Sequence, residues 1–465
     1  VKVLKFGGSS LADTFRIQKV AEIILSKVKS GPFALVLSAM KGITNLLIQA
    51  AELAEQGNRD YHTLLSTIKQ THDNAVKNLF SEQNTKIVRH DLEQLHKELE
   101  DFLHGVELIR ECTPRILDLV MSFGERLSCS LVTHYLKECG VDALFIDARK
   151  IIVTDDMYGK ASVDYEETYT RIKKLLTGMK KLPVITGFIA ATKNEVTTTL
   201  GRNGSDYTAS LIGAGLNAEA IEIWTDVNGV LSADPRYVKN AFTIHELSYE
   251  EAMELSYFGA EVIHPNTMIP AVERSIPIII KNTFNPHEAG TIIKNKIKAH
   301  EAVISGIACI ENIALLNIEG GGMVGIPGMA ARIFSILAAA ALNIIMISQG
   351  SSEHSICLGL KQNEALKAVE ALKKELKREL ENKIINEFLP IKELIIIAVI
   401  GDNMKGTPGI SGKLFSALGE EHINVLAIAQ GSSERNISFV IHNKDRVRAL
   451  NTIHKAFFHK HALRK

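Results

Sequence analysis

The sequence predicts an α/β fold: a sheet covered by helices on both faces, carrying a helical insertion and followed by a duplicated small domain. Three observations predict it. Strand and helix signals alternate through roughly the first 300 residues, a long charged helical stretch interrupts them, and the last third of the chain holds two copies of one pattern.

The elements follow in order. Val1 to Phe6 is a short apolar strand, and Asp13 to Lys29 spaces Phe15, Ile17, Val20, Ile23, Ile24 and Val28 as a helix would. Phe33 to Leu37 is a buried strand. From about Leu46 to Leu108 the pattern is charged and helical, without a glycine between Gly57 and Gly105, which marks an insertion or subdomain. Strand signals return at Ala143 to Ile146, Pro183 to Phe188, Ile221 to Trp224 and Pro277 to Ile280, mostly separated by helical stretches. The polar, lysine-rich segment Lys294 to His300 has the composition of a linker. Beyond it, Met323–Ile356 and Met404–Ile437 align at a constant offset of 81 residues, with 15 of 34 positions identical and QGSSE in both. Each copy runs strand, glycine turn, helix, strand, turn, strand. Two copies make a duplicated domain and not a solenoid.

Composition narrows the class. Hydrophobic residues make up 46% of the 465 and charged residues 23%, as in a globular protein. Lysine plus arginine equals aspartate plus glutamate at 53 each, so nothing draws the whole chain to nucleic acid or to an anionic membrane. The 5 cysteines are scattered without a CxxC pair, the pattern of buried free thiols in a reducing compartment. No apolar run approaches the roughly 18 residues of a membrane span, and the first residues enter a strand without a signal-peptide pattern. The expectation is a cytoplasmic protein with no nucleic-acid and no membrane partner.

Two segments carry the chemistry. In KFGGSS, Lys5 to Ser10, a strand ends at a glycine turn before a helix. Backbone N–H groups can approach an anion there, and Lys5 supplies a full charge for a transferring phosphoryl group. The bland reading is a strand-to-helix turn with a surface lysine. It is not a P-loop, because GxxxxGK[ST] occurs nowhere in the chain. In TTLGRNGSDYTA, Thr198 to Ala209, Arg202 offers a planar fork for a carboxylate, and Gly201 and Gly204 permit close backbone approach. Ser205 can donate to a substrate, and Asp206 can hold magnesium or orient Lys5. The bland reading is a polar hairpin loop. Together the segments suggest phosphoryl transfer onto a small anionic substrate.

Three further sites are weighed. Thr225 and Asp226 end a strand signal, where open α/β sheets bind ligands, and Arg236 in Asp234-Pro235-Arg236 can add a phosphate partner. Glu125, in FGER on a helical pattern, can receive a substrate ammonium or merely pair with Arg126. Gly320, Gly322 and Gly325 spell GxGxxG, but the next strand ends at Ser348-Gln349 and not in the acidic residue a ribose needs, so no cofactor is assigned to it.

KFGGSS, FGERLS, TTLGRNGSDYTA, EIWTDVNGV, ADPR and MELSYFGAEVIHP together resemble the aspartokinases of the amino-acid kinase superfamily. The resemblance covers essentially the whole chain, and the two repeats look like paired ACT regulatory domains. It is strongest to the kinase portion of bifunctional aspartokinase–homoserine dehydrogenases, where QGSSE stands in both copies; it leaves open a monofunctional relative or the N-terminal part of a longer polypeptide. The resemblance implies a three-layer α/β kinase domain over 1–298 and ferredoxin-like ACT domains over 303–388 and 389–465, with a strand possible to exchange between them. It implies ATP with Mg2+ as cofactor, L-aspartate as substrate, and the first step of lysine, threonine and methionine synthesis. Lys5 and Asp206 match catalytic positions; Lys5, Gly7, Gly8, Ser9, Thr225, Asp226 and Arg236 match ATP contacts; Thr44, Glu125, Arg202 and Ser205 match aspartate contacts. No dedicated protein metal site is implied. Ile347, Gln349, Ile428 and Gln430 mark an effector site, with threonine preferred over lysine, and the ACT domains are expected to join a homo-oligomer. Leu231 stands where the family usually has tyrosine, and Glu261 where it usually has lysine, both on the nucleotide side. Kinases of glutamate, acetylglutamate or a nucleotide, and a weakly catalytic amino-acid sensor, are the rival readings.

Overall fold

The computed structural model describes all residues except 30, 260–262, 296, 298–301, 324–326, 351–353 and 463–465. Glu261, Gly325, the 298–300 part of the polar stretch and Ser351-Ser352-Glu353 therefore lie outside the described residues. The chain forms two compact units that are not continuous in sequence. The first holds Val1–Val230, His245–Tyr249 and Val262–Ile297; the second holds Leu231–Ile244, Glu250–Glu261 and Lys298–Lys465.

In the first unit the elements run β1 (Lys2–Phe6), α1 (Thr14–Val28), β2 (Phe33–Leu37), α2 (Ile43–Glu55), α3 (Tyr61–Leu79), α4 (Glu82–Ile109), α5 (Pro114–Glu138), β3 (Ala143–Ile146), β4 (Val153–Thr154), α6 (Tyr165–Leu176), β5 (Leu182–Thr186), β6 (Ile189–Thr192), β7 (Thr197–Thr199), α7 (Gly204–Leu216), β8 (Ala220–Thr225) and β9 (Glu246–Leu247). Then come α8 (Tyr249–Tyr257), mostly in the second unit, α9 (Pro265–Glu273), β10 (Ile278–Asn282) and β11 (Thr291–Ile293). The main sheet has the order β3-β5-β2-β1-β8-β10-β11-β9, parallel except between β10 and β11. Every residue of β2 is buried, so both faces of the sheet are covered.

Two expectations change in detail. The helical stretch begins at Ile43, three residues before the apolar pattern shows, because Gly42 adopts φ 86° and turns the chain directly into α2. The strand expected to reach Phe188 ends at Thr186; Phe188 takes φ 66° and turns into a small sheet of β4, β6 and β7. Helices α2 to α5 share one apolar core, including Leu47, Tyr61, Leu99, Leu103, Phe123 and Leu127.

The second unit continues with β12 (Gly306–Glu319), α10 (Met329–Ala339), β13 (Met346–Gln349), β14 (Ser355–Lys361), α11 (Ala365–Glu375), α12 (Lys377–Glu381), β15 (Pro390–Ile400), α13 (Ile410–Glu420), β16 (Ala427–Gln430), β17 (Asn436–His442) and α14 (Arg446–Ala462). The starts of α10, β13, β14 and α11 recur as those of α13, β16, β17 and α14, each 81 residues later. The sheet order is β13-β14-β12-β15-β17-β16, with the two long strands antiparallel at its centre. Gly306 to Ile310 of β12 pairs with β15 in regular register; after shifts at Ile310/Ile313 and Ile313/Leu315 that pairing continues to Leu316, while Ile313 to Glu319 also pairs with β14. Packing follows the same division. Ile304 and Ile307 lie in a core with Ile397, Leu414 and Phe439, whereas Ile385 and Phe388 lie in a core with Ile318, Ile333 and Leu358. Each copy thus completes its core with chain from beside the other.

The remaining glycines of the GxGxxG run serve this packing. A Cβ on Gly320 would lie 2.0 Å from the Ile384 carbonyl oxygen, and one on Gly322 would lie 2.8 Å from Ile384 Cα. Among the described residues no helix is long and apolar enough to cross a membrane.

Candidate active site

Lys5 sits in a central strand whose other inner residues, Val3, Leu4 and Phe6, are buried and apolar. A lysine there needs a partner. Asp206, in the first turn of α7, supplies it: Nζ to Oδ1 is 2.5 Å, and both side chains are buried. The pair opens into a cavity of ≈ 600 Å³ at the C-terminal ends of the parallel strands β1 and β2.

The loop after β1 forms one wall. Gly7 N–H donates to the Trp224 carbonyl at 3.3 Å, and the Ser10 hydroxyl contacts that oxygen at 3.4 Å and the Thr283 hydroxyl at 2.7 Å. Gly8 passes so close to the loop after β2 that a Cβ would come 2.9 Å from the Ala39 carbonyl oxygen. The opposite wall is the turn into α7. Gly201 at φ 74° and Asn203 at φ 55° reverse the chain, so that Gly204 begins the helix and its N-terminus faces the cavity lining. This is a helix start and not a hairpin loop.

Glu125 lies on α5, 3% exposed, and does not pair with Arg126, whose guanidinium binds Glu98 at 2.7 Å. Glu125 Oε1 accepts the Ala39 N–H at 3.1 Å, while Oε2 is buried without a hydrogen-bond partner among the described residues. Burial pushes its carboxyl up to about 8, against the pull of the Ala39 N–H and the Lys5 charge. Glu125 also lines the cavity, where a carboxylate can receive a cation. Arg202 lies near His264, the N-cap of α9; burial and then the Arg202 charge hold that imidazole below its usual range.

The cavity therefore brings together Lys5, Gly7, Gly8, Ser9, Thr44, Glu125, Arg202, Ser205 and Asp206. It does not include Thr225, which ends β8 beside β1, or Asp226, which follows it; the Thr225 hydroxyl donates to Asp226 at 3.2 Å. Arg236 belongs to the second unit and is bound to Asp234 at 2.6 Å. Sequence reasoning missed the loop Ser38 to Gly42, as well as Met121, Phe188 and Thr199, all of which line the cavity. The loop was findable: it follows a strand parallel to β1, at the end where such sheets bind ligands.

Gln349 and Gln430 end the edge strands β13 and β16, and Ile347 and Ile428 are about half exposed on them. The two strands approach each other, with the Ser348 hydroxyl donating to the Ile428 carbonyl at 2.9 Å.

A family model for the amino acid kinase family matches residues 1–282, and one for the ACT domain matches 316–376 and 397–457. Bifunctional aspartokinase/homoserine dehydrogenase 1, chloroplastic, of Arabidopsis thaliana is 36% identical over 98% of this chain, which spans 51% of that relative. Aspartokinase 1, chloroplastic, of the same plant is 36% identical over 98% of this chain and 80% of its own. The crystal structure of E. coli aspartokinase III in complex with aspartate and ADP superposes with a TM-score of 0.83 at 30% identity, covering 98% of this chain and 100% of that one. The chain thus spans about half the length of the bifunctional relatives it matches, and covers 100% of the E. coli aspartokinase III chain. With the kinase model matching well over half of it and relatives aligned along almost its whole length, this chain belongs to the amino acid kinase family, among the aspartokinases, with ACT domains in its C-terminal part.

Proposed function

We propose that this chain transfers the γ-phosphoryl group of ATP to the β-carboxylate of L-aspartate, giving 4-phospho-L-aspartate and ADP. The observation that carries the reading is the buried, half-bonded carboxyl of Glu125 in the same cavity as the Lys5–Asp206 pair and the Arg202 turn. An amino acid with a second carboxylate suits such a cavity. Its ammonium meets Glu125 Oε2, its α-carboxylate meets Arg202 and Ser205 with Thr44 alongside, and its β-carboxylate faces Lys5.

The nucleophile is already ionised at neutral pH, since a free aspartate side chain titrates near ~3.9. No general base is needed. The protein's work is to hold two anions in line and offset their repulsion. Gly7, Gly8 and Ser9 bring main-chain N–H groups to the phosphates, and Lys5 places its charge on the transferring group. Thr225, Asp226 and Arg236 are assigned to the nucleotide, Arg236 after exchanging Asp234. Asp206 can hold Mg2+ or orient Lys5, and the phosphates would supply most of the ion's other ligands. When bound, that ion would neutralise charge on the phosphate oxygens. Assaying MgATP with aspartate, glutamate and acetylglutamate tests the reading: aspartate alone is expected to release ADP, and no turnover with aspartate overturns it.

The ACT pair is assigned to feedback control, with threonine preferred over lysine, and to assembly of a homo-oligomer. The exposed, equivalent ends of β13 and β16 support this. Threonine is expected to inhibit, and Gln349→Ala with Gln430→Ala to relieve inhibition without abolishing turnover; a coupling of about 1–3 kcal/mol is typical. An active, full-length native enzyme indifferent to threonine would remove the effector assignment alone. The same reading places the chain at the first step of lysine, threonine and methionine synthesis in the cytoplasm, either as a monofunctional enzyme or as the kinase portion of a bifunctional polypeptide. The catalytic part is assigned to 1–298 and the ACT domains to 303–388 and 389–465.

A further inference from the structure

Asp118 is fully buried on α5, two helical turns before Glu125. Among the described residues no cation pairs with its carboxylate. Instead it takes three neutral donors from two separate segments. Oδ1 and Oδ2 accept the Gly159 N–H at 3.1 and 2.9 Å, Oδ2 accepts the Thr199 N–H at 2.9 Å, and Oδ1 accepts the Thr199 hydroxyl at 2.8 Å. Both Gly159 and Thr199 line the cavity.

The two segments are stapled to each other as well. Ala161 N–H donates to the Thr199 carbonyl at 3.0 Å, and a Cβ on Gly201 would come within 3.2 Å of the Gly159 carbonyl oxygen. Arg202 follows Thr199 by three residues, across the Gly201 turn. One rigid helix therefore carries the ammonium receptor, Glu125, and the anchor of the turn that carries the carboxylate receptor, Arg202. An ordinary packing position would not place a carboxylate here, since burial pushes the Asp118 carboxyl upward and disfavours the charge. A group kept at that expense is holding something.

We propose that Asp118 is a positioning residue: by binding Gly159 and Thr199 it fixes the spacing between Glu125 and Arg202, and thereby the fit of the cavity to a short amino dicarboxylate. The inference rests on the aspartate reading above. An asparagine at 118 can accept on one side only, and its amide NH2 would confront a main-chain N–H. The turn carrying Arg202 would then lose its setting while the phosphate loop after β1 keeps its own anchors at Trp224 and Thr283.

The test is a split in kinetic constants. Asp118→Asn is expected to raise KM for aspartate by about ten- to hundredfold while KM for ATP stays within about twofold. Thr199→Val removes one of the four contacts and keeps the N–H; it is expected to raise KM for aspartate about threefold, and less when placed on Asp118→Asn, because the two side chains share one bond. In Asp118→Asn, trypsin should also cut faster after Lys160, beside the released Gly159. Unchanged KM for aspartate in folded Asp118→Asn overturns the proposal, as does a parallel rise in both KM values. If Asp118→Asn does not fold, Thr199→Val decides: an unchanged KM for aspartate overturns the proposal. A wild-type protein that does not phosphorylate aspartate defeats the functional reading itself, which these outcomes leave distinct.

Discussion

The cavity has two buried carboxylates, and they are treated in opposite ways. Asp206 has Lys5 at 2.5 Å, an opposite charge within the protein, although its Oδ1, like Glu125 Oε2, is buried without a hydrogen bond among the described residues. Among the described residues Glu125 has one main-chain N–H on Oε1 and none on Oε2, and its carboxyl is pushed up to about 8. The first end has its opposite charge in place before any ligand arrives. The second end is left unfinished, and a ligand cation would finish it. A phosphoryl-transfer site suits this division: the groups acting on developing charge stay fixed, while the substrate supplies the missing half of its own receptor.

The largest expected effect comes from breaking the paired end. Lys5→Ala should lower turnover by a hundredfold or more, about 3 kcal/mol or greater in transition-state stabilisation. It should also destabilise the fold, because it strands the Asp206 carboxylate without a partner in a buried site. Adding Asp206→Asn should recover much of the stability and none of the turnover. Thermal unfolding and steady-state rates on the single and double variants measure the two effects separately. Near-normal turnover in Lys5→Ala would mean that the transferring group lies elsewhere.

Arg202 tests the unfinished end by removing its other receptor. Arg202→Ala should raise KM for aspartate by about ten- to hundredfold, with ATP affinity little changed. Arg202→Lys should not restore it, since an ammonium cannot present two parallel donors. ATP binding can be followed through Trp224, the only tryptophan in the chain, whose carbonyl anchors Gly7. An equal loss of ATP affinity would move Arg202 to the phosphate side of the comparison.

Both ends were partly legible in the sequence, for different reasons. Lys5, Gly7, Gly8 and Ser9, and likewise Arg202, Ser205 and Asp206, each lie in one short run, so residue type and spacing were enough to group them. Glu125 stood out as a carboxylate on a helical pattern, but its isolation from Arg126 depends on Glu98, which lies 28 residues away in sequence. Asp118 gave no signal, because its partners are 41 and 81 residues distant and are main-chain N–H groups or a hydroxyl. The strands β4, β6 and β7 have two to four residues each, too few to show a period. The repeat was legible to the residue, whereas the division of β12 between two cores depends on how far one strand runs before its register shifts.

The smallest expected effect is the most specific to the unfinished end. A carboxyl at about 8 is mostly protonated at pH 7, yet an ammonium binds the carboxylate, so aspartate binding should expel a proton from Glu125. KM for aspartate should therefore fall as pH rises, by about fivefold between pH 7 and 8, while KM for ATP stays level. Calorimetry in buffers of different ionisation enthalpy should register the released proton. Stability runs the other way. A folded value raised above the ordinary 4.5 to about 8 contributes stability that is complete below the lower value and is lost as pH rises through the upper one. The ligand-free protein should thus lose stability across that window, and Glu125→Gln should flatten the loss, along with the pH dependence of whatever aspartate affinity survives. Saturating aspartate should flatten it too, by giving the ionised carboxylate its partner. If aspartate bound without proton release near pH 7, Glu125 would already be charged in the empty cavity, and the contrast with Asp206 would reduce to one of ion pairing alone.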